Sequence, residues 1–110
     1  MAMHTSVYTK SITQLGRLVE LYGKKQVSNS TAQTINKLFD DEISQARIHL
    51  RETERDLAAY EEKFGMTSQE FIKKYQAGQT DDSMESIEWA SLVQMADRIR
   101  QRLDFLTNEN

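Results

Sequence analysis

The residues best equipped for chemistry in this 110-residue chain are two histidines, two clusters of carboxylates and two sets of cations. His49 stands three positions before Glu52, a His-x-x-Glu pair that a helix would bring to one face. A zinc or di-iron centre needs further ligands at helical spacing, Glu-x-x-His or His-x-x-x-His, and neither pattern occurs. His4 has no nucleophile or orienting carboxylate at a recognisable spacing. Asp40, Asp41 and Glu42, and the pair Asp81 and Asp82, lack the alternating donors of a calcium loop; the second pair sits where a helix cap is expected. With no cysteine, thiolate metal sites and disulfides are excluded, and none of the four glycines belongs to a phosphate-binding loop. The expectation is a protein with no catalytic residues, no metal and no cofactor.

The cations point elsewhere. Arg47, Arg51 and Arg55 recur every four residues, either as a ridge that tracks phosphates or as partners for Glu88, Asp97 and Asp104 across a helical hairpin. Lys10, Arg17, Lys24 and Lys25, with Tyr8, Tyr22 and Asn29 nearby, form the better nucleic-acid candidate, because little acid dilutes them. They support attraction to phosphate without sequence reading. The net charge of −3 conceals a division: residues 1–37 carry +4 and residues 38–110 carry −7. A basic arm attracts phosphates and an acidic segment attracts basic protein surfaces, so two functional parts with two partners are expected.

These groups need elements to position them, and the apolar spacing is helical nearly throughout. Ile43, Ala46, Leu50, Thr53, Leu57, Tyr60 and Phe64 alternate steps of three and four, a heptad seam; Ile35, Leu38 and Phe39 extend it with a shifted phase. Ser30 or Thr31 can cap the start of this helix and Gly65 can end it, which implies a length of about 50 Å. A second seam runs through Trp89, Leu92, Ala96, Ile99, Leu103 and Leu106, flanked by Met95, with Asp82 and Glu85 as its expected capping box. The two seams predict an antiparallel pairing, within one chain or between two. Between them Thr67 and Glu70 form a capping box and Met66 and Phe71 a hydrophobic staple, so a short helix from Ser68 to Ala77 turns a sharp corner and Gly78 ends it. That helix offers Phe71, Ile72 and Tyr75 to the hairpin, and Trp89 is expected to anchor the corner. Phe71, Tyr75, Trp89, Leu92, Met95 and Ile99 are therefore either hairpin core or a partner-binding surface.

Near the N-terminus, Tyr8, Ile12, Leu15, Val19 and Tyr22 are spaced as a helix that leaves at Gly23, with Gly16 weakening it by up to about 1 kcal/mol. The Thr, Ser, Val and Tyr between His4 and Thr13 leave a second option, a short strand over residues 5–11 before a helix from Ile12 or Thr13.

The C-terminal half resembles a group of small prokaryotic antitoxin-like proteins. The resemblance rests on Phe64, Gly65, Met66, Thr67, Glu70, Phe71, Lys74, Tyr75, Gly78, Asp82, Glu88 and Trp89 and covers about residues 60–106. It implies a two-part antitoxin. An N-terminal element, often a ribbon-helix-helix, dimerises and binds DNA, and a C-terminal segment wraps or blocks a toxin. The strand would then be Thr5–Ser11, the first helix Ile12–Tyr22, and the second helix would begin near Ser30. In the strand Val7 and Tyr8 are adjacent, and no arginine precedes Arg17, which departs from that pattern.

The expectation from sequence is a mainly helical homodimer. Residues 1–37 form the basic dimerising and DNA-contacting part, and residues 38–110 an acidic helical hairpin that binds a basic, toxin-like protein. A homo-oligomeric coiled-coil adaptor without DNA binding is the alternative. Without cysteine, a charged leader or eighteen consecutive apolar residues, a cytoplasmic protein without membrane spans is expected.

Overall fold

Ser11 has an extended backbone, and its hydroxyl accepts the Gln14 N–H while the Gln14 side chain takes the Ser11 N–H, a capping box that starts the first helix. This computed structural model describes residues 9–108. Helices make up 81% of them: α1 (Ile12–Gly23), α2 (Asn29–Phe64), α3 (Ser68–Gln76) and α4 (Met84–Thr107). No strand occurs among the described residues. Of the stretch 5–11 set out above as a strand, residues 5–8 lie outside the described residues, and 9–11 have no ladder partner because Ser11 is committed to capping.

Two units are distinguishable, Met1–Leu38 and Phe39–Asn110, with α2 contributing residues 29–38 to the first and 39–64 to the second. In the first unit α1 ends beyond the residue expected to stop it. Gly23 is still helical, and Lys25 adopts the left-handed conformation at φ 59°; its N–H reaches the Tyr22 carbonyl, and the Gln26 N–H reaches that of Leu21. That is a Schellman ending with lysine at the position glycine would favour. The start of α2 also differs from expectation: the Ser28 hydroxyl takes the Thr31 N–H at 3.1 Å, so Ser30 and Thr31 lie inside the helix rather than capping it. The Tyr22 hydroxyl donates to Asn36 Oδ1 at 2.5 Å and ties the two helices of the unit. None of the described residues of this unit is buried.

The second unit holds the core. Ala46, Thr53 and Leu57 of α2 are buried along the expected seam, and Trp89, Ala96 and Ile99 along that of α4, with Ala90 buried beside it. Tyr60 pairs with Glu88, Lys63 with Glu85 and Thr53 with Met95, so residue numbers rise on α2 as they fall on α4. The hairpin is antiparallel and closes within one chain. Thr53, the buried hydroxyl of the α2 seam, donates to the His49 carbonyl at 2.8 Å and so enters the core without an unpaired polar group.

The corner forms as the local signals require. Gly65 and Gly78 occupy the left-handed region at φ 65° and 71°, where a side chain would clash with its own backbone. Thr67 caps α3 with its hydroxyl on the Glu70 N–H, and Glu70 returns to the Thr67 N–H at 3.1 Å. At α4 the cap is Ser83, not Asp82: Asp81 takes the Ser83 N–H and the Ser86 hydroxyl, a local turn that presents Ser83 to the Ser86 N–H. Trp89 is 2% exposed. Its ring lies 3.9 Å from that of Phe71 with planes 4° apart, and its Nε1–H donates to the Ser68 hydroxyl at 2.9 Å.

Two outcomes follow. Ser68→Ala leaves the indole N–H buried without an acceptor and is expected to cost about 1–3 kcal/mol in urea unfolding. Against Trp89→Phe, a double-mutant cycle should show coupling of at least about 0.5 kcal/mol; additivity would mean that the bond contributes nothing. The Thr67 backbone and hydroxyl donors hold the Glu70 carboxyl below its usual 4.5. Its contribution to stability is therefore complete above pH 4.5 and is lost as pH falls through the lowered value. Thr67→Ala should cost about 0.5–2 kcal/mol at neutral pH and flatten that acid dependence, read by circular dichroism across a pH series.

Candidate functional site

Each unit presents one surface with functional character. In the second unit α3 lies at the connected end of the hairpin, between the end of α2 and the start of α4, and a groove of about 700 Å³ opens among the three helices. Leu57, Ile72 and Val93 form its floor, while Glu54, Glu61 and Asp97 stand along its walls. Glu61 accepts the Ser68 N–H at 2.8 Å, which orients its carboxylate at the start of α3. Arg100 sits at one end, with Nη2 3.0 Å from Glu54 and Nη1 3.3 Å from Asp97. All three side chains remain about half exposed, so these pairs hold weakly.

A smaller hollow of about 200 Å³ lies between Phe64, Met66, Phe71 and Trp89, with Asp81 at its rim. The Ser86 hydroxyl, followed by Ser83, holds the Asp81 carboxyl below its usual value and commits it to the turn. Tyr60 and Phe64 each centre 5.6 Å from Trp89 with nearly parallel planes, so the hollow is the edge of an aromatic stack. The Tyr60 hydroxyl donates to Glu88 at 2.6 Å. That bond, then burial, then the charges of Glu88, Glu85 and Asp56 push the phenol up to about 12.

The residues set out as core or partner surface fall mostly in the core. Phe71, Trp89 and Ile99 are buried, Tyr75 and Leu92 pack against the cluster around Trp89, and Met95 stays partly exposed with its sulfur 3.7 Å from the Thr53 hydroxyl. The arginine row is a correction. Among the described residues Arg47, Arg51 and Arg55 close no ion pair; Glu88 takes Tyr60, and Asp97 takes Arg100 instead. A step of four residues turns a helix about 40° past a full circle, so the row drifts from the seam until Arg55 stands opposite it. The residues that wall the groove carried no local signal, since Glu54 and Arg100 are 46 positions apart. Ser68 was findable, because a buried tryptophan N–H needs an acceptor.

In the first unit Lys10 precedes α1, Arg17 lies on it, Lys24 and Lys25 follow it and Asn29 opens α2; Tyr8 lies outside the described residues. Lys25 and Asn29 share the rim of a shallow depression with Tyr22. Lys24 is held by Glu20 at 2.9 Å, which leaves it less available to a phosphate than Lys10, Arg17 and Lys25. On α1, Ile12 is 88% exposed, and Leu15 and Val19 are exposed beside it. No three metal-ligating side chains converge, and no helix is long and apolar enough to cross a membrane, among the described residues. No family model, curated protein or solved structure matches the sequence.

The Tyr60 bond is open to a direct check. In an absorbance titration one of the four tyrosines should ionise near pH 12, and Glu88→Gln should bring it back toward 10. A raised phenol pKa supports folding below pH 10 and loses that support as pH rises toward 12, so Glu88→Gln should also flatten the alkaline unfolding curve.

Proposed function

We propose that this protein is a non-enzymatic regulator in two parts, the antitoxin of a toxin–antitoxin pair. Its acidic C-terminal unit holds a basic toxin-like protein, and its N-terminal unit forms a homodimer that contacts operator DNA. One contrast carries the reading: the unit with −7 owns a complete core, whereas the unit with +4 has an amphipathic helix and no buried residue among those described. A segment of fewer than about 40 residues without disulfide or metal needs another surface to bury its apolar face. A second copy supplies Ile12, Leu15 and Val19 in the same form and leaves Arg17, on the other side of α1, free for phosphate. Lys10, Lys25 and Asn29, at the ends of α1 and the start of α2, would add to the phosphate contacts, and each chain of a dimer would present one such set to a half-site.

The exposed Leu38 and Phe39 favour a second reading, a homo-oligomeric coiled-coil adaptor in which α2 associates along its length and the basic charge plays no part. DNA separates the two. For the regulator, affinity for duplex DNA falls steeply with salt, and each of Lys10→Ala, Arg17→Ala and Lys25→Ala lowers the log–log slope by about 0.9. No binding at low salt leaves the adaptor.

For the dimer, light scattering should give twice the 12.8 kDa chain mass, and Val19→Asp should return the mass to that of one chain while far-ultraviolet circular dichroism is retained. Co-expression with the product of the adjacent gene tests the antitoxin assignment. A co-purifying complex and restored growth are expected; no complex and no rescue would sink it.

A further inference from the structure

We infer that the groove between α2, α3 and α4 is the seat for a cationic amphipathic helix of a protein partner, with an arginine of that helix taking the place of Arg100 between Glu54 and Asp97. The inference rests on the reading of the second unit as the partner-binding part and assigns its site. The groove has the two features such a ligand requires. Its apolar lining of Leu57, Ile72 and Val93, one residue from each of the three helices, can receive the apolar face of a helix, and Glu54, Glu61 and Asp97 line it beside them. An anionic ligand is disfavoured, because Arg100 is the one cation in the lining and is already shared between two carboxylates. A small polar molecule would find little to orient it, since the buried Ser68 hydroxyl in the lining is taken by Trp89 and each wall carboxylate belongs to a residue that is at least partly exposed.

Arg100 shows what the walls hold. Its guanidinium reaches carboxylates on two different helices, Glu54 on α2 and Asp97 on α4, the arrangement a partner's arginine would meet on entering from outside. Because these side chains are about half exposed, the internal pair is weak enough to exchange. The unit's charge of −7 would draw a basic partner in before contact. The smaller hollow beside Phe64 and Trp89 offers no such recognition, because Asp81 at its rim is occupied by Ser83 and Ser86.

The probe is a fluorescein-labelled peptide of about 16 residues, long enough for measurable helicity, with leucine at i, i+3, i+4 and i+7 and arginine or lysine elsewhere. A control peptide keeps the leucines and replaces every cation with glutamate. With the full chain, anisotropy should show saturable binding of the cationic peptide and none of the control. Glu54→Gln and Asp97→Asn should each weaken binding. Arg100→Ala should tighten it by roughly two- to fivefold more than Arg98→Ala, which removes the same charge from the same helix but not from the groove. Equal effects of Arg100→Ala and Arg98→Ala, or binding indifferent to Glu54→Gln and Asp97→Asn, would overturn the assignment. All four substitutions are at exposed positions, and circular dichroism verifies the fold of each. If a co-expressed toxin binds the Glu54→Gln, Asp97→Asn double variant as tightly as the parent chain, the groove is wrong and the antitoxin reading stands. Groove-dependent peptide binding without a toxin complex or growth effect keeps the groove and removes the antitoxin.

Discussion

Trp89 is held by a flat contact and a single hydrogen bond, and the C-terminal unit is arranged around it. Phe71 lies against the indole at 3.9 Å, Tyr60 and Phe64 stack nearby, and Ser68 accepts the Nε1–H, so one side chain of α4 binds α3 and the end of α2 together. A tryptophan of this size buried without an acceptor would cost more than its stacking returns. The Ser68 hydroxyl is present because Thr67 caps α3 and sets the helix at an angle that brings its first residue beneath the indole. Cap, corner and core are thus one device. The groove exists because α3 is held across the hairpin instead of continuing α2.

That device leaves a contrast between the two units. Leu57, Phe71, Trp89, Ala90 and Ala96 form one buried cluster in the second, and Ala96 is fully excluded from solvent. In the first, α1 has equally regular apolar spacing, yet none of the described residues is buried. Local amphipathicity is a demand for a partner surface, and within one chain it is met only where the sequence supplies a second seam. The same logic makes the charge division meaningful, since the unit whose described residues form no core is also the one that carries the excess of cations.

Much of this was legible. The α3 capping box, the seam from Ala46 to Leu57, the return through Trp89 and Ile99 and the left-handed Gly65 and Gly78 all follow from signals within about one helical turn. Where several cap candidates stood together the signal misled. Ser28 caps α2 although Ser30 and Thr31 offer hydroxyls too, and Ser83 caps α4 beside Asp82, because each cap depends on how the preceding turn delivers the chain. Lys25 in the left-handed region, rather than Gly23, shapes one turn, and Asp81 the other. The arginine row misled for a different reason: regular spacing shows that Arg47, Arg51 and Arg55 share a side of the helix but not which side faces a partner.

The sequence by itself determined which segments are helical, roughly where they break, that no cysteine chemistry is available and that charge divides between the two ends. Those properties arise from neighbours in the chain, whose geometry is set by the backbone hydrogen bonds of single turns. Only the tertiary structure decided that the hairpin closes within one chain, that Glu54 and Arg100 meet, and that acids from two helices line an apolar floor. Such meetings depend on how far α2 and α4 are rotated and slid against each other. Packing around Trp89 sets that relation, and residues 46 apart leave no periodic trace of it.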